Sequence, residues 1–365
     1  MPVYLSIFAV VVILTILSWS FKSYIPMILA GVVLALFAGM RVQVGFDFSS
    51  YQDVYAEIQN GIALSSIGHF EIGYLILNWI AVQLSLSFNG FLIFFSLITF
   101  SLFTLFLVLL KQPQLGSMAL LYYFSRFYFT RDLGQIRASL AAVICLLAFY
   151  LLLKHHFVYF AIVTLIASLF QKVALVFFVA YVIVKVFKKK VNIVSFPIVT
   201  IFAVILSKLA GGFLQSHANI FNSYSDYLTN TVFTGSGSGL ANPVIWFQLA
   251  IGMLCLYFFF QHNIQSGEQK TMGITASVEN VQKVIVVYLT GTLILILFNT
   301  LPAAAGRVST VLNTFEIILV PLIFQRMFKG MMQIITFSVF SMAVWYLFFV
   351  HAGLQVFIPY HSILG

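Results

Sequence analysis

Asn89-Gly-Phe-Leu-Ile-Phe-Phe-Ser-Leu-Ile-Thr-Phe-Ser-Leu-Phe-Thr-Leu-Phe-Leu-Val-Leu-Leu110 runs for 22 residues without a charged side chain and ends at Lys111. An α-helix rises about 1.5 Å per residue, so the stretch reaches roughly 33 Å, enough to cross the hydrocarbon layer of a bilayer. Its Phe and Leu side chains fall on every side of a helix and leave no face for water. A helix of that kind lies in lipid or deep inside a large protein.

The remainder of the chain decides between the two. Of 365 residues, 62% are hydrophobic and 7% charged, with 41 Phe and 17 Tyr; the mean hydropathy is +1.07. Soluble domains carry about 45–50% apolar and about 25% charged residues. A fold of this length has too little interior to hide so much apolar surface from water, which excludes a soluble globular protein, a disordered chain and a coiled coil. Apolar runs recur at 3–20, 24–40, 71–87, 115–130, 133–153, 156–170, 172–187, 192–210, 243–260, 281–300, 307–325 and 331–350. The pattern predicts an all-α, polytopic integral membrane protein with about 12–14 transmembrane or re-entrant helices. No internal repeat or soluble domain interrupts it, so residues 1–365 read as a single helical membrane domain. The N-terminal run lacks a basic start and a small-residue cleavage site and reads as a retained first span.

Eighteen Lys and Arg against nine Asp and Glu give a net charge of +9. The cations sit in short breaks between apolar runs, where they set topology; no basic, aromatic soluble surface exists for nucleic acid. With Lys188-Lys189-Lys190 in the cytoplasm, loop 211–242 is expected outside and loop 261–280 inside. Segment 71–87 carries Glu71, Asn78 and Gln83, which are costly in lipid, so it is expected to be re-entrant or protein-buried, with loop 41–70 outside. Cys145 and Cys255 lie in apolar runs and read as small core residues.

Six arginines occur. Arg326, beside Lys329, fits a cytoplasmic end, whereas Arg41, Arg126, Arg131, Arg137 and Arg307 fall at external ends. An arginine on that side calls for an anionic partner, and its planar fork suits phosphate. Arg131-Asp132-Leu133-Gly134 reads as a turn between two helices, placing Gln135 and Arg137 in the first turn of the next, where free N–H groups also favour an anion. Arg307 is expected to open another helix after Pro302 and Gly306, with Thr310 and Thr314 on its face.

Three acids cluster in the first loop, Asp47, Asp53 and Glu57, beside Tyr51 and Tyr55, followed by Phe70-Glu71-Ile-Gly73-Tyr74. A carboxylate near external arginines can take a proton from a sugar hydroxyl. Asp132, next to Arg131, reads as an arginine partner, and Asp53 with Glu57 as a water-facing pair. Asp226, in a loop of Asn, Ser, Tyr and Thr, suits acceptor binding. Asp47 and Glu71 remain as base candidates; Asp47 is preferred because Gly45 would let backbone approach a substrate. No HxxxH, DxD, P-loop or GxSxG motif occurs, so no metal and no cofactor are expected.

Arg41…Gly45-x-Asp47-x-x-x-Tyr51, Glu71-x-Gly73-Tyr74 and Gln135-Ile-Arg137-x-x-Leu-Ala141, with Arg307 and Pro359-Tyr360, resemble the EpsG/Wzy-type polysaccharide polymerase family of bacterial membrane proteins. One departure is Gln171, where such proteins often carry His. The resemblance implies a glycosyltransferase in the bacterial cytoplasmic membrane, joining undecaprenyl-diphosphate-linked repeat units on the external face. A chain-length regulator and a flippase would be its protein partners. Asp47, Glu71, Arg137 and Arg307 would be catalytic; Arg41, Tyr51, Tyr74, Arg126, Arg131, Gln135 and Asp226 would bind substrate. Two alternatives stand beside it. A membrane O-acyltransferase would need a buried His, for which His351 is the nearest candidate, and a glycan flippase would need charges spread through the membrane depth.

Overall fold

The computed structural model describes residues 1–68, 70–186, 193–216, 239–261, 277–299, 302–351 and 355–363. Asp226 and most of loops 211–242 and 261–280 lie outside the described residues. Helices dominate. Six of them are long and apolar enough to cross a membrane, and a seventh span arises if the pair Ala304–Asn313 and Glu316–Met327, bent by 50°, counts as one. The chain is therefore a polytopic all-α membrane protein. Its other apolar runs form shorter helices, among them Ile25–Gly39, Ile72–Gln83 and Phe157–Ser168.

The chain divides into two compact units. The first comprises Met1–Leu175 and Val320–Gly365. Its α1 (Pro2–Phe21) and α2 (Ile25–Gly39) each carry proline in the first turn, where the missing N–H costs nothing. α2 lies against α5 (Phe88–Leu109). Gly39 permits that approach, since a Cβ there would fall 2.5 Å from the Ile93 Cα. After α2 the chain pairs Arg41–Val42 (β1) antiparallel with His361–Ser362 (β2), Arg41 opposite Ser362. The C-terminal segment is thus drawn onto the first loop. Tyr360 stacks on Phe37 at 4.3 Å and donates to its carbonyl at 2.6 Å, and the Tyr4 hydroxyl donates to the Phe357 carbonyl.

α3 (Phe48–Gln59) and α4 (Ile72–Gln83) follow. At 12 residues α4 rises about 18 Å, too short to cross a bilayer, and its Asn78 is fully buried with its amide on the Tyr74 carbonyl at 2.8 Å. Of the costly polar groups of 71–87, Asn78 is thus enclosed by protein, while Gln83 lies exposed at the end of α4. α6 (Pro113–Tyr123) continues as a π-helix through Phe124–Gly134 before α7 (Ile136–Leu153) begins. Here the structure corrects the sequence reading. Arg131–Gly134 is not the turn but the end of a widened helix, and the break falls at Gln135. α7 leads to α8 (Phe157–Ser168).

The second unit comprises Val176–Lys270 and Thr275–Leu319. Its α9 (Phe178–Val186) and α10 (Ser195–Ser216) precede α11 (Pro243–Leu256), which Asn242 caps by accepting from the Val244 N–H at 2.9 Å. α12 (Val278–Leu297) and α13 (Pro302–Asn313) pack so closely that a Cβ at Gly291 would fall 2.1 Å from the Asn313 Oδ1. The buried Asn313 amide donates to the Gln248 Oε1 at 2.8 Å. In both units several polar side chains inside the apolar helices bond a backbone carbonyl or one another, as Thr99, Thr292 and Asn313 do, which a medium without water favours.

Candidate functional site

The site assembles in the first unit from three parts of the sequence. The first is the loop after α2. Arg41 is fully buried there, donating from Nη1 to the Ala38 carbonyl at 2.6 Å and from Nε to the Val44 carbonyl at 3.1 Å. Burial pulls its pKa below the ordinary value, and the nearby Tyr128, Tyr51, Asp132 and Tyr360 oppose that pull. Arg41 closes the turn that launches Asp47, and its own carbonyl accepts from the Asn89 amide at 2.9 Å. Gly45 lies at φ 111°, and a Cβ there would sit 1.8 Å from the Leu133 carbonyl oxygen. Sequence reasoning gave this glycine to a substrate; the structure gives the close approach to the chain's own π-helix. Gly45→Ala should lower the thermal midpoint of the purified protein, with backbone strain alone costing about 1–3 kcal/mol. An unchanged midpoint would show that the loop does not rest on Leu133.

Asp47 precedes the first residue of α3, and the Tyr51 hydroxyl, one turn on, donates to its Oδ2 at 3.3 Å. Burial pushes the Tyr51 phenol above its usual pKa, and the Arg137 guanidinium draws it part of the way back. Asp47 and Tyr51 therefore form a carboxylate–phenol pair within the field of a cation. Asp53 is exposed and Glu57 partly so, as a water-facing pair should be.

The second part is the start of α4. The Gly73 N–H donates to the Leu169 carbonyl at 2.8 Å, an approach only glycine allows because a Cβ would fall 2.8 Å from that oxygen. This docking places Glu71 where its Oε1 accepts from the Lys172 backbone N–H at 3.3 Å and its Oε2 pairs with Arg137. Gln171, the departure noted above, is the residue before that N–H.

The third part is the start of α7. Gln135 is its N-cap position and Arg137 lies in its first turn, as the sequence suggested. The Arg137 guanidinium lies 4.3 Å from the Phe70 ring centre, 5.8 Å from Tyr74 and 5.9 Å from Tyr51. Phe70 and Tyr74 stack at 5.3 Å, and Tyr51 and Tyr74 approach to 5.4 Å. An aromatic cradle of this kind holds a guanidinium by its faces and leaves its edge to other partners. Arg137 is 19% exposed, and its buried Nε–H meets no protein acceptor.

Within the first unit, Arg131, Arg126 and Asp132 meet other side chains than those of the cradle. Arg131 is buried with its guanidinium 4.3 Å from the Phe127 ring centre, and Arg126 lies 3.8 Å from that of Phe348. Asp132 is fully enclosed and accepts from Tyr123 and Ser139, each at 2.7 Å. Neither hydroxyl was singled out from the sequence, because neither lies at a motif spacing. Arg307 belongs to the second unit. α13 begins at Pro302, so Arg307 stands in its second turn rather than opening it; the Thr314 hydroxyl bonds the Thr310 carbonyl at 2.7 Å. His351 is exposed at the end of a π-helix that extends α14 (Met331–Trp345), at the edge of the candidate span Met331–His351 and not buried inside it. Among the described residues, no three His, Cys, Asp or Glu come together as metal ligands would.

The model of the EpsG family matches residues 24–362, from α2 to the C-terminal strand. Neither a curated protein nor a solved structure matches the chain. The match takes in all three parts of the site and nearly the whole membrane fold. The chain therefore belongs to the EpsG family, as a multi-pass membrane protein linked to exopolysaccharide biosynthesis.

Proposed function

We propose that the protein is a glycosyltransferase that polymerises lipid-linked oligosaccharide repeat units on the external face of the bacterial cytoplasmic membrane. Its donor is the growing chain on undecaprenyl diphosphate, and its acceptor is a new repeat unit on a second such carrier. The observation that carries this reading is Arg137: a partly exposed guanidinium in an aromatic cradle, beside a carboxylate–phenol pair. Such a site holds an anion with its guanidinium, kept in place by the aromatic faces, and a sugar hydroxyl with its carboxylate.

In the reaction the acceptor hydroxyl oxygen attacks the anomeric carbon of the donor, and the bond from that carbon to the diphosphate oxygen breaks. Asp47 takes the hydroxyl proton, and Tyr51 holds the carboxylate in place. Arg137 stabilises the charge that grows on the leaving diphosphate, a task an arginine performs without a metal. Glu71 holds Arg137 at the cradle and stands second as base. On sequence grounds Arg307, Arg126 and Arg131 are further arginines for phosphate, Gln135 is a further substrate contact and Asp226 suits the acceptor, whereas the fully buried Tyr74 serves the cradle rather than the glycan. The exposed position of His351 gives no support to an O-acyltransferase.

Deleting the gene in its own bacterium tests the reading. Long polymer should vanish while single repeat units accumulate on the lipid carrier. Polymer of normal length that lacks only acyl groups would mean an acyltransferase, and units held on the cytoplasmic face would mean a flippase. Topology gives a second test. A cysteine introduced at the exposed Ser66 should react with an impermeant thiol reagent in intact cells, whereas one at His155 should not. The native Cys145 and Cys255 are buried and should stay silent. Labelling at 155 but not 66 would invert the proposed orientation.

A further inference from the structure

Asp132 is the most deeply enclosed carboxylate of the first unit. It lies near the end of the π-helix, and both of its oxygens are occupied. The Tyr123 hydroxyl donates to Oδ2 and the Ser139 hydroxyl to Oδ1, each at 2.7 Å, while the two hydroxyls stand 2.9 Å apart. Tyr123 closes α6 and Ser139 lies in the opening of α7, so one carboxylate ties together the helix before the π-segment, the π-segment and the helix after it.

A buried carboxylate is expensive unless it is hydrogen-bonded, and both hydroxyls are needed to hold this one. Its retention is explained by what stands on either side. Ser139 is two residues beyond Arg137 on the same helical turn. Leu133, the next residue after Asp132, is the one whose carbonyl meets Gly45 and so supports the loop that carries Asp47. The knot therefore fixes the first turn of α7 and the seat of the Asp47 loop at once. The Asp132 hydrogen bonds tie the end of the π-helix to the helices on both sides of it, and π segments of this kind are often found at functional sites.

We infer that Asp132, held by Tyr123 and Ser139, is a positioning residue that aims Arg137 at a phosphate-bearing ligand. The inference rests on the reading of Arg137 given above. Asp132 touches no substrate, and its whole effect passes through the placement of the α7 start.

A double-mutant cycle read by binding separates positioning from general support of the fold. Purified full-length protein in detergent is titrated with undecaprenyl diphosphate as the probe. Asp132→Asn should weaken binding on the order of tenfold in the wild-type background, and by less than about twofold when Arg137→Lys is already present. A purely structural carboxylate would cost the same factor in both backgrounds, and that result overturns the inference alone. Absence of binding by the wild type overturns it together with the reading of Arg137. Should Asp132→Asn fail to fold, Ser139→Ala, which removes one of the two hydrogen bonds, goes through the same cycle with the same two outcomes.

Discussion

Replacing Arg137 with Lys is expected to lower polymerisation about 100–1000-fold while expression and membrane insertion stay normal, the range seen when one charge-stabilising contact is lost from a transition state. Lysine keeps the charge but not the plane. The aromatic faces of Phe70, Tyr74 and Tyr51 surround a flat guanidinium at 4.3–5.9 Å. An ammonium in that cradle cannot reach Glu71 and a phosphate oxygen with the same fork. The loss should fall on turnover more than on half-saturation, because the charge on the leaving diphosphate is largest in the transition state. The measurement is initial rate against donor concentration with the purified variant. Near-wild-type turnover would assign Arg137 to fold support and leave the charge stabilisation to another residue.

The second large effect is expected at Asp47. Asp47→Asn keeps the shape and can still accept from the Tyr51 hydroxyl, so the start of α3 should survive. Without a base, polymerisation should fall by roughly 100–10,000-fold, the span that general base catalysis supplies, while binding of the lipid-linked donor persists. Glu71→Gln is the control that decides between carboxylates. It breaks the ion pair with Arg137, so it should weaken donor binding as well as rate, which Asp47→Asn should not. A dead Glu71→Gln that still binds donor, beside an active Asp47→Asn, would move the base to Glu71. Activity in both variants would remove carboxylate catalysis from this loop.

The membrane fold was legible because lipid imposes a one-dimensional rule. An uncharged run such as Asn89–Leu110 must be a helix whatever its neighbours are. Arg137 was legible in part for a similar reason, since Gln135 and the apolar run after it mark a helix start. What lay beyond the sequence were contacts made by backbone at a distance. Gly73 stood only within a motif, and nothing in the order of residues said that it would meet the Leu169 carbonyl. Gly45 did point to a close approach and was given to a substrate, although it meets Leu133. The turn at Arg131–Gly134 was misplaced because π-winding leaves no mark in periodicity; it is stabilised by tertiary bonds such as those of Asp132. Arg307 was set at a helix start because Gly306 looked like a breaker, whereas Pro302, suited to a first turn, is where the helix begins. The candidate span 71–87 was the exception. Its polar residues pointed to a segment shorter than a full span, and α4 there has 12 residues.

The central claim is that Arg137 and its cradle serve transfer of a glycan from one lipid diphosphate to another. The most direct measurement presents purified protein with synthetic undecaprenyl-diphosphate-linked repeat units and follows the products by size. A ladder of lipid-linked glycans that grows by whole repeat units, with one undecaprenyl diphosphate freed at each transfer, and absent with Arg137→Lys, is the predicted result. Repeat units that stay single in the presence of folded wild-type protein, or a ladder that forms equally well with Arg137→Lys, would contradict it.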